Sequence, residues 1–71
     1  MIKLKGMSSA RIAKNMTQLE LAKILNVSRI TINRYEQGKQ WPPSTTLDLI
    51  ADALDVTVTD LLTGGDDDER I

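Results

Sequence analysis

The stretch that decides the fold of this 71-residue chain is Ser28-Arg29-Ile30-Thr31-Ile32-Asn33-Arg34-Tyr35-Glu36-Gln37-Gly38. At about 100° per residue, a helix over this stretch has two different faces. One face carries Ile32, Tyr35 and Glu36, with Thr31 at its margin. The opposite face carries two guanidinium groups, one amide and one apolar side chain, which belong to Arg29, Asn33, Arg34 and Ile30.

The second face has side chains that suit the base edges in the major groove of DNA. A bidentate pair between arginine and guanine contributes about 1–3 kcal/mol of discrimination against other bases. The alternative is that Arg29 and Arg34 are ordinary solvated arginines. Ile30 does not point toward the core by its helical angle, so it is either an idle apolar residue or a contact to a thymine methyl group. We favour base or phosphate contact for Arg29 and Arg34 and the thymine methyl contact for Ile30, and we assign all four side chains, Asn33 included, to the base-facing set.

Composition excludes several kinds of chemistry. The chain has no cysteine and no histidine, so disulfides, thiolate metal sites and the usual general base are all missing. Tyr35 and Trp41 are the two aromatic residues, too few for a base-stacking surface that binds single strands. We therefore expect no catalytic residues, no metal and no cofactor.

No part of the sequence predicts a membrane span or a secretory signal. No apolar run approaches the roughly 18 residues that a span requires. The first five residues, Met1-Ile2-Lys3-Leu4-Lys5, are too short and too charged for a signal peptide. We expect a soluble, cytoplasmic protein.

The net charge of −1 conceals an uneven distribution. Residues 1–43 carry eight Lys or Arg against two acids, a net charge of +6, whereas residues 44–71 carry one Arg against eight acids, a net charge of −7. If the two halves are separate in space, one face of the domain is positive. Ordinary solubilising charge explains the same composition equally well.

The pattern predicts an all-α domain of short helices, over about residues 7–14, 18–25, 29–36 and 45–54, with a closing helix after Thr57. The second helix begins with a capping box formed by Thr17 and Glu20. Ser28, Ser44 and Thr57 are predicted caps of the third, fourth and fifth helices, and Gly38 ends the third. The fourth is amphipathic, with Asp48, Asp52 and Asp55 opposite its apolar stripe.

Three segments are expected: an N-terminal arm over 1–6, a domain over 7–63 and a flexible acidic tail over 64–71. The arm could instead be a short strand, because Ile2 and Leu4 alternate with lysines. The tail is either an inert solubilising end or a segment that competes with DNA for the basic face or docks a protein.

A series of residues at fixed spacing resembles the lambda-repressor-like helix-turn-helix family, also described as the Cro or xenobiotic-response-element type. The likeness runs from about Arg11 to Leu62. It rests on Thr17-Gln18, Leu21-Ala22, Asn26-Val27-Ser28, Thr31-Ile32, Tyr35-Glu36-Gln37-Gly38-Lys39, Pro43-Ser44, Leu47, Ile50-Ala51 and Ala53-Leu54.

The resemblance implies a compact five-helix domain, with the second helix across the DNA backbone and the third in the major groove. Its base-facing positions match Arg29, Ile30, Asn33 and Arg34. The positions that contact phosphates match Gln18, Ser28, Thr31, Gln37, Lys39 and Gln40. Arg11 and Glu36 match an ion pair that ties the first helix to the end of the third.

The chain departs from the family pattern in three ways. Asn15, Asn26 and Asp55 stand where the family usually has glycine, and these residue types tolerate left-handed backbone best. Leu19 and Ile24 are apolar where the family is often polar, so they either cover Met16 or the N-terminal segment or mark a partner surface. Trp41 either caps the core under its loop or packs on the DNA backbone or a second subunit.

These observations favour a sequence-specific regulator of transcription, a repressor that binds a double-stranded DNA operator as a homodimer. The predicted dimer surface consists of Trp41, Val58, Leu61 and Leu62. The alternative is a protein-interaction module on the same fold, either an antitoxin-like partner or a regulator that does not bind DNA.

Overall fold

The structure is a computed structural model that describes residues 4–64 as five α-helices and no strand. The helices are α1 (Met7–Ala13), α2 (Gln18–Leu25), α3 (Arg29–Gln37), α4 (Ser44–Leu54) and α5 (Val58–Thr63). The predicted all-α class and helix order are confirmed. Residues 65–71, which make up nearly all of the predicted tail, and residues 1–3 of the predicted arm lie outside the described part.

Most helix ends follow the predicted caps. Thr17 and Thr57 each form a capping box, with Glu20 and Asp60 as the reciprocal partners. Gly38 ends α3 with a φ of 79°, a left-handed conformation that glycine adopts without strain. The left-handed backbone expected where the family usually has glycine is also confirmed, because Asn15, Asn26 and Asp55 all have positive φ.

The predicted cap at Ser44 is wrong. The backbone carbonyl of Pro43 already accepts the first helical hydrogen bond, from the backbone N–H of Leu47 at 2.9 Å. Pro43 is therefore the N-cap and Ser44 is the first residue of α4, with no side-chain cap bond at this end.

The core lies between all five helices. Helix α2 packs on α3 and α4, and α5 packs on α4 and α1. The buried apolar residues are Leu4, Met7, Leu21, Ala22, Ile32, Tyr35, Leu47, Ile50, Ala51, Leu54 and Leu61. The acidic side of α4 faces solvent as predicted.

The segment before α1 belongs to this core from Leu4 onward. Leu4 is fully buried, and the N–H of Gly6 donates to the carbonyl of Leu61 at 2.9 Å. A Cβ on Gly6 would lie 2.1 Å from the carbonyl oxygen of Asp60, so no larger residue fits without backbone movement. This close approach docks the start of the chain on α5.

Two expectations about apolar residues are corrected. Leu61 has no exposed surface and cannot contribute to a dimer surface, because its side chain fills the core beneath α5. Trp41 does not cap the core, since 49% of it is exposed while the adjacent Pro42 is buried. Leu62 is exposed and Val58 is half-buried, so both remain accessible.

Candidate nucleic-acid interface

The turn between α2 and α3 holds the start of α3 in a fixed position. Asn26 ends α2 in the left-handed conformation, and Ser28 begins the next helix two residues later. The hydroxyl oxygen of Ser28 accepts from the N–H of Thr31 at 3.1 Å, and the two hydroxyl oxygens lie 3.0 Å apart. Both predicted phosphate-contacting hydroxyls thus lie at the N-terminus of α3, where backbone N–H groups attract anions.

Burial of the inner face of α3 determines what its outer face presents. Ile32 and Tyr35 are anchored in the core. Arg29 and Arg34 are therefore exposed, and Ile30 has 56% of its surface exposed although it is apolar.

The outer face of α3 forms a shallow cleft of about 200 Å³. Six side chains line it, all of them among the predicted base or phosphate contacts: Arg29, Ile30, Asn33, Arg34, Gln37 and Lys39. Three of them are cationic, and no carboxylate from the described residues lines the cleft. The cleft therefore offers several hydrogen-bond donors, and a positive potential, to an anionic or acceptor-rich ligand.

Gln18 is tied to this cleft through Arg29. It is the first residue of α2, and its side-chain oxygen Oε1 lies 3.5 Å from Nη1 of Arg29. Its amide nitrogen Nε2 donates to Oε1 of Glu36 at 3.0 Å. The predicted phosphate contact therefore stands next to a predicted base contact.

The Arg11 and Glu36 side chains form an ion pair behind the cleft. Nε of Arg11 lies 2.8 Å from Oε2 of Glu36, and Nη2 donates to Oε1 at 3.4 Å. The side chains are 13% and 8% exposed, respectively. Nη1 of Arg11 also donates to the carbonyl of Met16 at 2.8 Å, which joins the pair to the connection between α1 and α2.

Gln40 and Trp41 lie outside the cleft lining, in the loop that follows α3. Both are exposed, and the backbone N–H of Gln40 contacts the carbonyl of Arg34 at 3.4 Å. Their contacts with a phosphate or a second subunit stay predictions.

Sequence reasoning missed the contacts that Gln18 makes. Gln18 lies 18 residues from Glu36 and 11 from Arg29, so no helical spacing signals either hydrogen bond. It also missed a second groove, of about 520 Å³, in which Ile12, Met16 and Leu19 lie beside Gln18 and Arg29. The apolar residue Leu19, at a position where the family is often polar, was the available signal for an apolar surface here.

The described residues contain neither a cluster of metal ligands nor a helix that could span a membrane. No group of three or more His, Cys, Asp or Glu side chains in residues 4–64 is arranged to hold a metal ion. Within the same residues, every helix is too short or too polar to cross a membrane.

Comparison with known proteins identifies the arrangement. A family model described as helix-turn-helix matches residues 7–61, which include every helix that builds the cleft. The HTH-type transcriptional activator BcrR of Enterococcus faecalis is 43% identical over 54 residues, covering 76% of this chain and 26% of BcrR. The antitoxin PezA of Streptococcus pneumoniae is 33% identical over 58 residues, covering 82% of this chain and 37% of PezA. The chain thus spans about a quarter to just over a third of the length of these curated relatives.

Proposed function

Because the chain belongs to the lambda-repressor-like helix-turn-helix family, we propose that it regulates transcription by binding double-stranded DNA sequence-specifically through α3. The observation that carries the proposal is the cleft on α3, which is lined by three cations and no carboxylate from the described residues. Arginine, asparagine and an exposed apolar side chain together match the donors, acceptors and methyl groups of a major groove. This function requires no catalytic chemistry.

Phosphate contacts complete the proposed interface. Gln18 begins α2, Ser28 caps α3, Thr31 lies in the first turn of α3, and Lys39 follows its end. Contacts of this kind hold a protein in register on the duplex without carrying sequence information, whereas the base-edge contacts supply the specificity.

We further propose that the protein binds as a homodimer and represses by occupying its operator. Helix α3 has nine residues and spans about 13 Å, which covers only about four base pairs. Two copies on a pseudo-palindrome with half-sites about 34–36 Å apart would supply the missing contacts. Trp41, Val58 and Leu62 remain as the proposed dimer surface, without the buried Leu61.

Selection from a random duplex pool at physiological salt tests sequence-specific binding. The wild-type chain is compared with Arg29→Ala/Arg34→Ala and with Lys14→Ala/Lys23→Ala, a control that removes the same charge from exposed positions outside the cleft. We expect a two-fold motif for the wild type and the control, and none for the arginine variant. Enrichment that survives in the arginine variant would refute the assigned interface.

The dimer and the mode of regulation have separate tests. Sedimentation with the selected duplex should give two chains per site for the wild type and one for Trp41→Ala/Leu62→Asp. A reporter with the selected site overlapping its promoter should lose expression when the protein is supplied, whereas a gain would show activation.

A protein-interaction module is the second candidate function. It is favoured by the exposed apolar side chains of Ile12, Leu19 and Ile24, and by the likeness to a relative named as an antitoxin. In that case Arg29→Ala/Arg34→Ala would leave partner binding intact, and the random pool would yield no motif for the wild type.

A further inference from the structure

A continuous chain of polar contacts runs from α1 through the carboxylate of Glu36 to the DNA-facing side of α3. The carboxylate receives hydrogen bonds from two residues, since Arg11 donates to both of its oxygens and Nε2 of Gln18 donates to Oε1 at 3.0 Å. At the other end of the Gln18 amide, the oxygen Oε1 lies 3.5 Å from Nη1 of Arg29.

The chemistry of Glu36 determines which way the Gln18 amide turns. An ionised carboxylate only accepts hydrogen bonds, whereas a glutamine amide has a donating end and an accepting end. Gln18 must therefore present its amino group to Glu36, which leaves its oxygen on the side of Arg29. With the amide reversed, an amino group would face the Arg29 guanidinium, and neither group could accept from the other.

The carboxylate is itself held in place from behind. Arg11 joins Glu36 to the carbonyl of Met16, and the Glu36 side chain is only 8% exposed. Arg29, which lines both the cleft and the groove that contains Gln18, thus faces a Gln18 amide whose orientation is already set. The second N–H of that amide remains available for a phosphate oxygen.

We propose that Glu36 is a positioning residue for DNA recognition: it orients the Gln18 amide, whose oxygen holds the Arg29 guanidinium in place for the base that Arg29 contacts. This inference rests on the proposed function and assigns to Glu36 a role beyond the ion pair with Arg11. Arg34 lies in the same cleft but takes no part in this chain of contacts, so base recognition by Arg34 is independent of Glu36.

The experiment first assigns bases to arginines. Selection with wild type, Arg29→Ala and Arg34→Ala identifies the operator position at which each arginine determines the preferred base. Duplexes that carry the preferred or a substituted base at each position are then titrated with Glu36→Gln and Gln18→Met. Glu36→Gln introduces an amide that can face Gln18 with either end, whereas Gln18→Met keeps the ion pair and removes the oxygen that holds Arg29.

We expect both variants to lower the discrimination at the Arg29 position by about three- to tenfold. This is a partial loss of the roughly 5- to 150-fold that a bidentate arginine contact supplies. Discrimination at the Arg34 position should stay unchanged. Ile50→Val, a core substitution away from these contacts, should change neither ratio and controls for lowered stability.

Three results would overturn the inference. Loss of a phosphate contact or of global stability weakens binding to all sequences alike, so equal weakening at both positions would show that Glu36 has only a structural role. The inference also fails if Arg29→Ala changes no base preference. If the wild type selects no motif, the proposed function fails first and this inference fails with it. Should Glu36→Gln not fold, Gln18→Met still tests the contact on which the role of Glu36 depends: an unchanged ratio at the Arg29 position overturns the inference, and a lowered ratio at that position alone supports it.

Discussion

Replacing Arg11 with methionine should cost much of the stability of this domain. Arg11→Met removes both donors to Glu36, a side chain only 8% exposed in the native fold, and the donor to the carbonyl of Met16. Removal of one partner from a buried pair costs about 3–5 kcal/mol. Gln18 still donates to Glu36, so we expect about 2–4 kcal/mol here.

That loss is large for a chain of this length. A domain of 71 residues has a free energy of unfolding of roughly 4–10 kcal/mol. With an m-value of about 1 kcal/mol/M in urea, the unfolding midpoint should fall by about 2–4 M. Far-UV circular dichroism during urea titration measures the shift.

Lys14→Met is the matched control. The ion pair of Lys14 with Asp55 spans 3.9 Å, and the two side chains are 40% and 87% exposed. We therefore expect this variant to lower the free energy of unfolding by less than about 1 kcal/mol.

The double variant Arg11→Met/Glu36→Leu separates a stranded charge from lost packing. If the penalty of the single variant comes from an unpaired buried carboxylate, removing that carboxylate should restore part of the lost stability. The reasoning is refuted if the double variant is less stable than Arg11→Met. It is refuted equally if Arg11→Met and Lys14→Met shift the midpoint by the same amount.

Two further predictions concern the backbone. Gly6→Ala places a methyl group 2.1 Å from the Asp60 carbonyl oxygen. Thermal unfolding should therefore show a free energy of unfolding lower by about 1–3 kcal/mol. A melting temperature equal to that of the control variant Lys5→Ala would contradict the packing of this segment on α5. Ser28→Ala should lower the free energy of unfolding by about 1 kcal/mol because the hydroxyl of Ser28 caps α3. Ser44→Ala should change it by no more than about 0.5 kcal/mol. Equal losses in urea titrations of the two variants would contradict the assignment of Pro43 as the N-cap of α4.

Features with local signals could be predicted from the sequence. The capping box at Thr17, the cap at Ser28 and the left-handed residues Asn15, Asn26 and Asp55 depend on a few neighbouring residues. The outward direction of Ile30 follows from helical periodicity alone, because the stronger apolar face of α3 must be buried.

Features that depend on packing between distant segments could not be predicted. Leu61 and Leu62 are adjacent leucines in a helix of six residues, and only the position of α5 on α4 and α1 decides which one is buried. Leu4 enters the core because Gly6 allows the chain to approach Asp60, a contact between opposite ends of the domain. The Gln18 contacts are non-local for the same reason.

The net charge of −1 is a poor guide to how this chain meets DNA. At physiological salt the Debye length is about 8 Å, so a phosphate in the cleft responds to charges within that range rather than to the whole chain. Its nearest charges are Arg29, Arg34 and Lys39, which line the cleft without a carboxylate among the described residues. A net charge close to zero provides little long-range attraction to DNA of arbitrary sequence. Under the proposed function, binding then depends on the few contacts that the cleft would make directly, which increases the share expected from base recognition and from the contacts that position Arg29.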